Sequence, residues 1–336
     1  MAQLHRRHVL VGSAAFSIHA MIANTQEQIL STMQPFAKSD VFVGATLLNN
    51  PQDDHDGLGR IIQYDAELIE KGALWVTGNT HVVGGLTFAP DGTLWAFDNL
   101  GWFALTVGRD GKQKWTKRFL DRVIGKVQFL ASEHFLFTEY LKGEVQPETL
   151  TTRYQTLPDH PGQLGVGQIY EFDVKDKLVR TYTPDVHGGM SRSMAITHAI
   201  LASDGKTLIY TSETGPRLMR FDVAAAKQPP DLKTPPPSQG GPPAMFLDVA
   251  CTGTKIFLPL GNKLAVVDEK SGQDLASFPL PAFGWAVIIA FFDGAFAYVA
   301  NWFTGDVAKI SLADGASLAQ TKISPKCISA IAQFAG

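Results

Sequence analysis

The sequence predicts an all-β fold closed into a six-bladed β-propeller with four-stranded blades, and three observations predict it. Short β-rich runs separated by Asp-Gly turns recur along the chain, the recurrence has a nearly fixed period, and the two ends supply complementary parts of one sheet. The pattern is plainest in Gly84 to Phe119, GGLTFAPDGTLWAFDNLGWFALTVGRDGKQKWTKRF. Its four apolar runs, with Pro90-Asp91-Gly92 and Arg109-Asp110-Gly111 as turns, read as consecutive antiparallel hairpins.

The first hairpin of that unit recurs as THAILASDGKTLIYTSE, MFLDVACTGTKIFLPLG and AVIIAFFDGAFAYVANW, and in weaker form as KVQFLASEHFLFTEY. Aligning the residue that ends each third strand gives Asp65, Gly108, Asp173, Asp222, Asp268 and Ser311, at steps of 43, 65, 49, 46 and 43 residues. A period of this size with four strands per repeat is that of a propeller blade. The first unit, from Asp40 to Gly78, lacks an innermost strand, and the C-terminal run Cys327 to Phe334 looks like an innermost strand with nothing after it. Placing the second inside the first closes the ring and removes its open edges.

Taken in order, blade one carries a loop at 48–59 and blade two a short one at Asn99 to Trp102. Blade three holds the largest insertion, 141–166, which accounts for the 65-residue step. Blade four ends in a Pro-rich stretch, 228–243, that cannot occupy a sheet interior and reads as an extended connection. Blades five and six are compact. In a four-stranded blade the loops between strands two and three, and the links to the next blade, share one face. The 48–59, 141–166, 184–193 and Pro-rich segments therefore gather on one side, as on a binding face.

Composition agrees: 45% of residues are hydrophobic and only 18% charged, with 31 Gly and 19 Pro to serve many turns. A formal charge of −3 leaves no basic footprint, so nucleic acid is not an expected partner. At the N terminus, Arg6-Arg7 precede a modest apolar run with Leu10. This reads as a twin-arginine export signal over 1–24, followed by a lead-in over 25–39 and one propeller domain over 40–336. The expected location is the periplasm or the exterior, with no membrane span once the signal is removed, because the apolar run is short and interrupted. Cys251 and Cys327 fall on non-adjacent blades and are expected to stay unpaired.

Candidate chemistry lies at the ends of the second strands, aligned as Asp98-Asn99, Glu139-Tyr140, Ser212-Glu213, Gly261-Asn262 and Asn301-Trp302. Converging carboxylates and amides in a funnel suit a hard divalent cation such as Ca2+, and Asp98, Glu139, Glu213 and Asn301 are the candidate ligands. His81 and His198, near inner-strand starts, are candidate bases, and Arg192, ahead of blade four, could receive a carboxylate or polarise a carbonyl. Trp102, Tyr140, Tyr154, Trp285, Trp302 and Phe303 crowd the same face and could hold a flat or apolar ligand. Each of these residues also has an ordinary structural reading as a turn cap or rim packing. No GxSxG, P-loop, GxGxxG or HExxH motif is present.

The runs GGLTFAPDGTLWAFDN and THAILASDGKTLIYTSE resemble the inner hairpins of the gluconolactonase and senescence-marker-like six-bladed propellers, and AYVANWFTGDVAKISLADG resembles a YVTN-type repeat. The resemblance spans about 40–334. It implies a channel-bound divalent cation and hydrolysis of a lactone or ester through a metal-polarised carbonyl. The Pro-Asn-Gly that often opens inner strands in that group is here Ile196-Thr197-His198 and Val83-Gly84-Gly85, so its asparagine ligands do not carry over. The expectation is a metal-assisted hydrolase or lactonase-like enzyme acting on a lactone, ester or aromatic small molecule. Its counterpart from another class is a non-catalytic propeller that binds a small ligand or a protein.

Overall fold

The computed structural model describes residues 30–54, 56–77, 83–118, 121–146, 154–234, 245–288 and 294–336. The proposed signal, His55, His81 and most of the Pro-rich stretch lie outside the described residues. The chain divides into two units, 1–30 and 31–336, and the second is the propeller. Among the described residues every regular element is a β-strand.

Six sheets follow one another along the chain. Blade one takes its innermost strand from the C terminus, Ile328–Gln333, then Val41–Leu48, Gly57–Tyr64 and Glu70–Trp75 outward. Val41 pairs with Gln333 and Ala45 with Ile328, with one bulge between, so the ring closes as the sequence requires. Blade two is Gly84–Phe88, Leu94–Asp98, Phe103–Val107 and Gln113–Arg118, and blade three is Ile124–Phe129, Phe135–Glu139, Ile169–Phe172 and Leu178–Tyr182. Blade four has His198–Leu201, Thr207–Thr211 and Leu218–Asp222, its outer position covered by bridges from Lys227 to Asp222 and from Lys233 to Leu218. Blade five is Ala250–Thr252, Lys255–Pro259, Lys263–Asp268 and Asp274–Pro279; blade six is Trp285–Ile288, Phe296–Asn301, Asp306–Ser311 and Ser317–Lys322.

The inner strands read as continuous apolar runs because each blade is covered on both faces by its neighbours. Six apolar clusters result, one between each adjacent pair of blades, including the pair that closes the ring. Val41, Val43 and Ile331 of blade one, for instance, meet Tyr298, Ala300 and Val307 of blade six. Each fully buried aliphatic chain contributes roughly 1.5–3 kcal/mol, so each interface is a core in its own right. Outer strands are exposed, as at Leu178 and Val179.

Two features exceed the sequence expectation. Residues 31–37 of the lead-in belong to the propeller: Thr32 N–H donates to Ala73 O at 2.8 Å. Phe36 packs its ring 4.6 Å from Phe42 and 5.7 Å from Phe334. Within the insertion of blade three, Lys142–Glu144 and Gln163–Val166 form a small hairpin.

Candidate functional site

The loops between second and third strands and the links between blades meet at one mouth of the central channel. There they enclose a cavity of about 1190 Å³ to which all six blades contribute. Gly85, Gly125 and His198 enter from inner-strand starts, and Asn99, Tyr140, Glu213, Asn262 and Trp302 from second-strand ends. The blades approach closely here. A Cβ on Gly85, whose φ is 61°, would lie 2.4 Å from the carbonyl oxygen of Gly125, and one on Gly125 would lie 2.6 Å from that of Ile196.

In four of the five aligned pairs at the second-strand ends, the second residue lines the cavity and the first does not; of the pair Gly261-Asn262 both line it. Asp98 accepts the Leu100 N–H at 2.9 Å. The Asn301 side chain accepts the Phe303 and Thr304 amides at 3.0 and 3.2 Å and donates to Phe283 O. Ser212 donates to Ala195 O and accepts the His187 N–H. Glu139 is fully buried. It accepts Val166 N–H at 3.0 Å, Gln168 N–H at 2.9 Å and the Tyr170 hydroxyl at 3.0 Å, with Arg122 Nε 3.4 Å away. These are caps for the loop that follows each strand, the work short polar side chains do at turns. Burial pushes the Glu139 carboxyl above its ordinary range despite those amides and Arg122.

Of the expected cation set, Asp98 Oδ1, both Glu139 oxygens and Asn301 Oδ1 accept backbone amides, and Glu213 is the one of the four that lines the cavity. Among the described residues no group of three or more His, Cys, Asp and Glu is gathered to hold a metal. The divalent cation implied by the family resemblance finds no fit in these residues.

The other candidates separate as well. Tyr140 and Trp302 line the cavity. Trp285 is buried between blades five and six and donates its indole N–H to Pro281 O at 2.6 Å. Trp102, at φ 58°, packs with Val123 and Leu164 behind Tyr140. Arg192 sits at φ 63° in the turn closed by the Gly188 and Met194 bridge, away from the cavity wall. His81 lies outside the described residues. His198 lines the cavity with Nδ1 3.1 Å from Thr197 Oγ1. That hydroxyl donates to Thr211 O and accepts the Glu213 N–H, so Nδ1 is the donor toward it, and in the neutral imidazole Nε2 is then the acceptor.

Two walls of different character result. Over blades three and four, the Tyr140 hydroxyl donates to Glu213 Oε2 at 3.0 Å. Tyr154, from the insertion, stands in the field of Glu213 and Asp54, and burial with those charges pushes its phenol far up. Over blades five and six are aromatic rings, with Phe303 centred 5.0 Å from Trp302 and 6.2 Å from Phe283. Phe283 and Phe303 are 64% and 50% exposed, unusual for phenylalanine unless something covers it. Tyr154 and Phe303 are among the aromatic residues that the sequence places on this face; Phe283, in the link between blades five and six, is not, because an isolated phenylalanine in a loop carries no periodic signal.

No family model matches the chain, and no curated protein matches it. Solved structures do. A chain of a nidogen/laminin complex is similar over 88% of this chain and 98% of its own, at TM-score 0.61 and 10% identity. A protein of unknown function from Bacteroides caccae is similar over 89% and 100%, at TM-score 0.58 and 10% identity. Identities this low carry the propeller architecture and nothing finer, so the likeness to gluconolactonase-like proteins stands at the level of fold. Among the described residues no helix is long and apolar enough to cross a membrane.

Proposed function

We propose that this chain is a ligand-binding β-propeller that takes a small, predominantly apolar molecule in the mouth of its central channel. The observation that carries this reading is the 1190 Å³ cavity, in which the exposed rings of Phe283 and Phe303 stand beside Trp302 and polar anchors such as Glu213 and His198 share the lining. Size, concavity and an apolar wall with a small set of polar anchors are what small-molecule sites share. Calorimetric titration with a neutral probe, 4-phenylbutanol, tests it. Saturable one-to-one binding that weakens about tenfold in Trp302→Ala supports the reading; binding indifferent to that change, or none, removes it.

Hydrolysis in the same cavity is a second reading, favoured by one observation. Thr197 leaves His198 Nε2 as a base in a cavity that Glu213 also lines. It rests on no metal. Turnover of a lactone or aryl ester that is lost in His198→Ala and indifferent to chelator would support it, and absence of turnover would leave binding alone. Export through the Arg6-Arg7 leader accompanies both readings as a proposal. Fractionation of cells expressing wild type and Arg6→Lys/Arg7→Lys tests it, with retention of the double variant in the cytoplasm expected.

A further inference from the structure

The charge in the cavity is unevenly satisfied. Glu213 is half-buried in the wall, and its backbone is fixed because its N–H donates to Thr197 Oγ1 at 2.9 Å. One carboxylate oxygen, Oε2, accepts the Tyr140 hydroxyl. Among the described residues nothing donates to Oε1, and no Lys or Arg forms an ion pair with this side chain. A carboxylate removed in part from water gains most from a cation brought to it. Tyr140, through its hydroxyl, and Tyr154 line the cavity beside it, and neither carries a positive charge that would compete with an incoming ammonium.

The remaining charges of the cavity narrow the ligand. Lys233 is already paired with Asp274 at 3.1 Å. Asp54 adds negative charge beside Tyr154. Lys263 and Lys326 line the cavity elsewhere, Lys326 on the Trp302 side, where its backbone N–H donates to Trp302 O at 2.7 Å. Negative charge thus stands at the blade three and four side and positive charge beside the rings of blade six. A second ammonium at the far end of a ligand would meet Lys326, whereas one at Glu213 meets a carboxylate.

Resting on the ligand-binding reading above, we propose that the occupant is an organic monocation: a protonated amine at one end, seated against Glu213 Oε1 between Tyr140 and Tyr154, and an aryl or alkyl body reaching Trp302, Phe303 and Phe283. The neutral body supplies affinity through the aromatic wall, and the amine supplies selectivity through one charge-assisted hydrogen bond.

The test is calorimetry on the full chain at pH 7 with three matched probes: 4-phenylbutylamine, 4-phenylbutanol and 4-phenylbutyrate. On wild type the amine binds about tenfold tighter than the alcohol, as one hydrogen bond to a charged group implies, and the carboxylate binds weakest. In Glu213→Gln the preference for the amine over the alcohol falls from about tenfold to within about twofold. Amine and alcohol binding wild type within about twofold of each other would overturn the cationic assignment while leaving the cavity as a ligand site. Failure of all three to bind would remove the cavity reading and this inference with it. The comparison on wild type needs no variant to fold.

Discussion

The phenolic hydroxyl of Tyr140, at the end of a blade-three strand, donates a 3.0 Å hydrogen bond to Glu213 Oε2 at the matching position of blade four. Two neighbouring blades are thereby joined at the mouth, and the carboxylate is tethered in the cavity wall by one of its oxygens. Burial and the adjacent Glu213 charge push the Tyr140 phenol well above its ordinary range, so it remains a donor at any physiological pH.

Replacing Tyr140 by Phe frees that carboxylate to rotate. The amine-over-alcohol preference of the cavity is expected to drop about threefold in Tyr140→Phe, with 4-phenylbutanol affinity unchanged. Paired titrations check it, and a preference equal to wild type would mean the hydroxyl does not position Glu213.

Glu139 anchors the blade-three insertion to its sheet. Glu139→Ala leaves two buried amides and the Tyr170 hydroxyl without an acceptor and is expected to cost on the order of 3 kcal/mol in urea unfolding. Because burial raises its pKa above the usual 4.5, the native state holds this proton more tightly than the unfolded chain. The resulting stability is present in full below pH 4.5 and is lost as pH rises through the folded value. The stability gap between wild type and Glu139→Gln should therefore narrow as pH rises above about 4.5. A gap that widens as pH rises would contradict the assignment.

Most tyrosines are protected from ionisation. Tyr64 and Tyr182 are pushed up to about 12, chiefly by burial, and Tyr140, Tyr154, Tyr170 and Tyr210 are raised in the same direction. An unfolded phenol ionises near 10, so the tyrosine contribution to stability is flat up to that pH and falls above it, where the unfolded chain loses protons that the native one keeps. Tyrosinate absorbance followed with pH should rise little until the protein unfolds, and then rise steeply. A gradual rise centred at about pH 10 in folded protein would show these rings to be open to solvent.

The close approach of the blades predicts one sharp sensitivity. Gly85→Ala places a methyl group against the Gly125 carbonyl and the Phe97 ring at a φ of 61°, and is expected to cost about 2–4 kcal/mol. Gly143→Ala has a similar φ of 73° but open space around it, and should cost only the conformational part, about 1 kcal/mol. Thermal melts of the two variants distinguish contact from backbone strain. Equal losses would deny the tight inter-blade packing at the mouth.

The ring itself was legible because its signals are local and repeated: Asp-Gly turns, apolar runs of strand length, and a final run at Cys327 to Phe334 with no partner other than Val41 to Ala45. The ends of the second strands were legible as the place where polar groups meet the channel. Which member of each pair faces it was not, since consecutive strand residues point to opposite sides and one bulge inverts them. A bulge between Ile124 and Lys126 shifts the pairing just where Glu139 meets blade three's inner strand. Asp98 and Asn301 read as ligands in sequence because the same short polar side chains that bind cations also cap turns, and only the position of the backbone amides decides between the two. The role of Phe36 was hidden for a different reason. A single aromatic residue in a polar lead-in carries no periodic signal, and its site between blades one and two exists only once the ring has closed.

Whether the channel mouth is a ligand site is decided most directly by a crystal structure of the full chain grown with 4-phenylbutanol. The predicted result is one molecule of the probe in the mouth, its ring against Trp302 and Phe303. Probe bound elsewhere on the propeller, with the mouth holding only solvent, would contradict it.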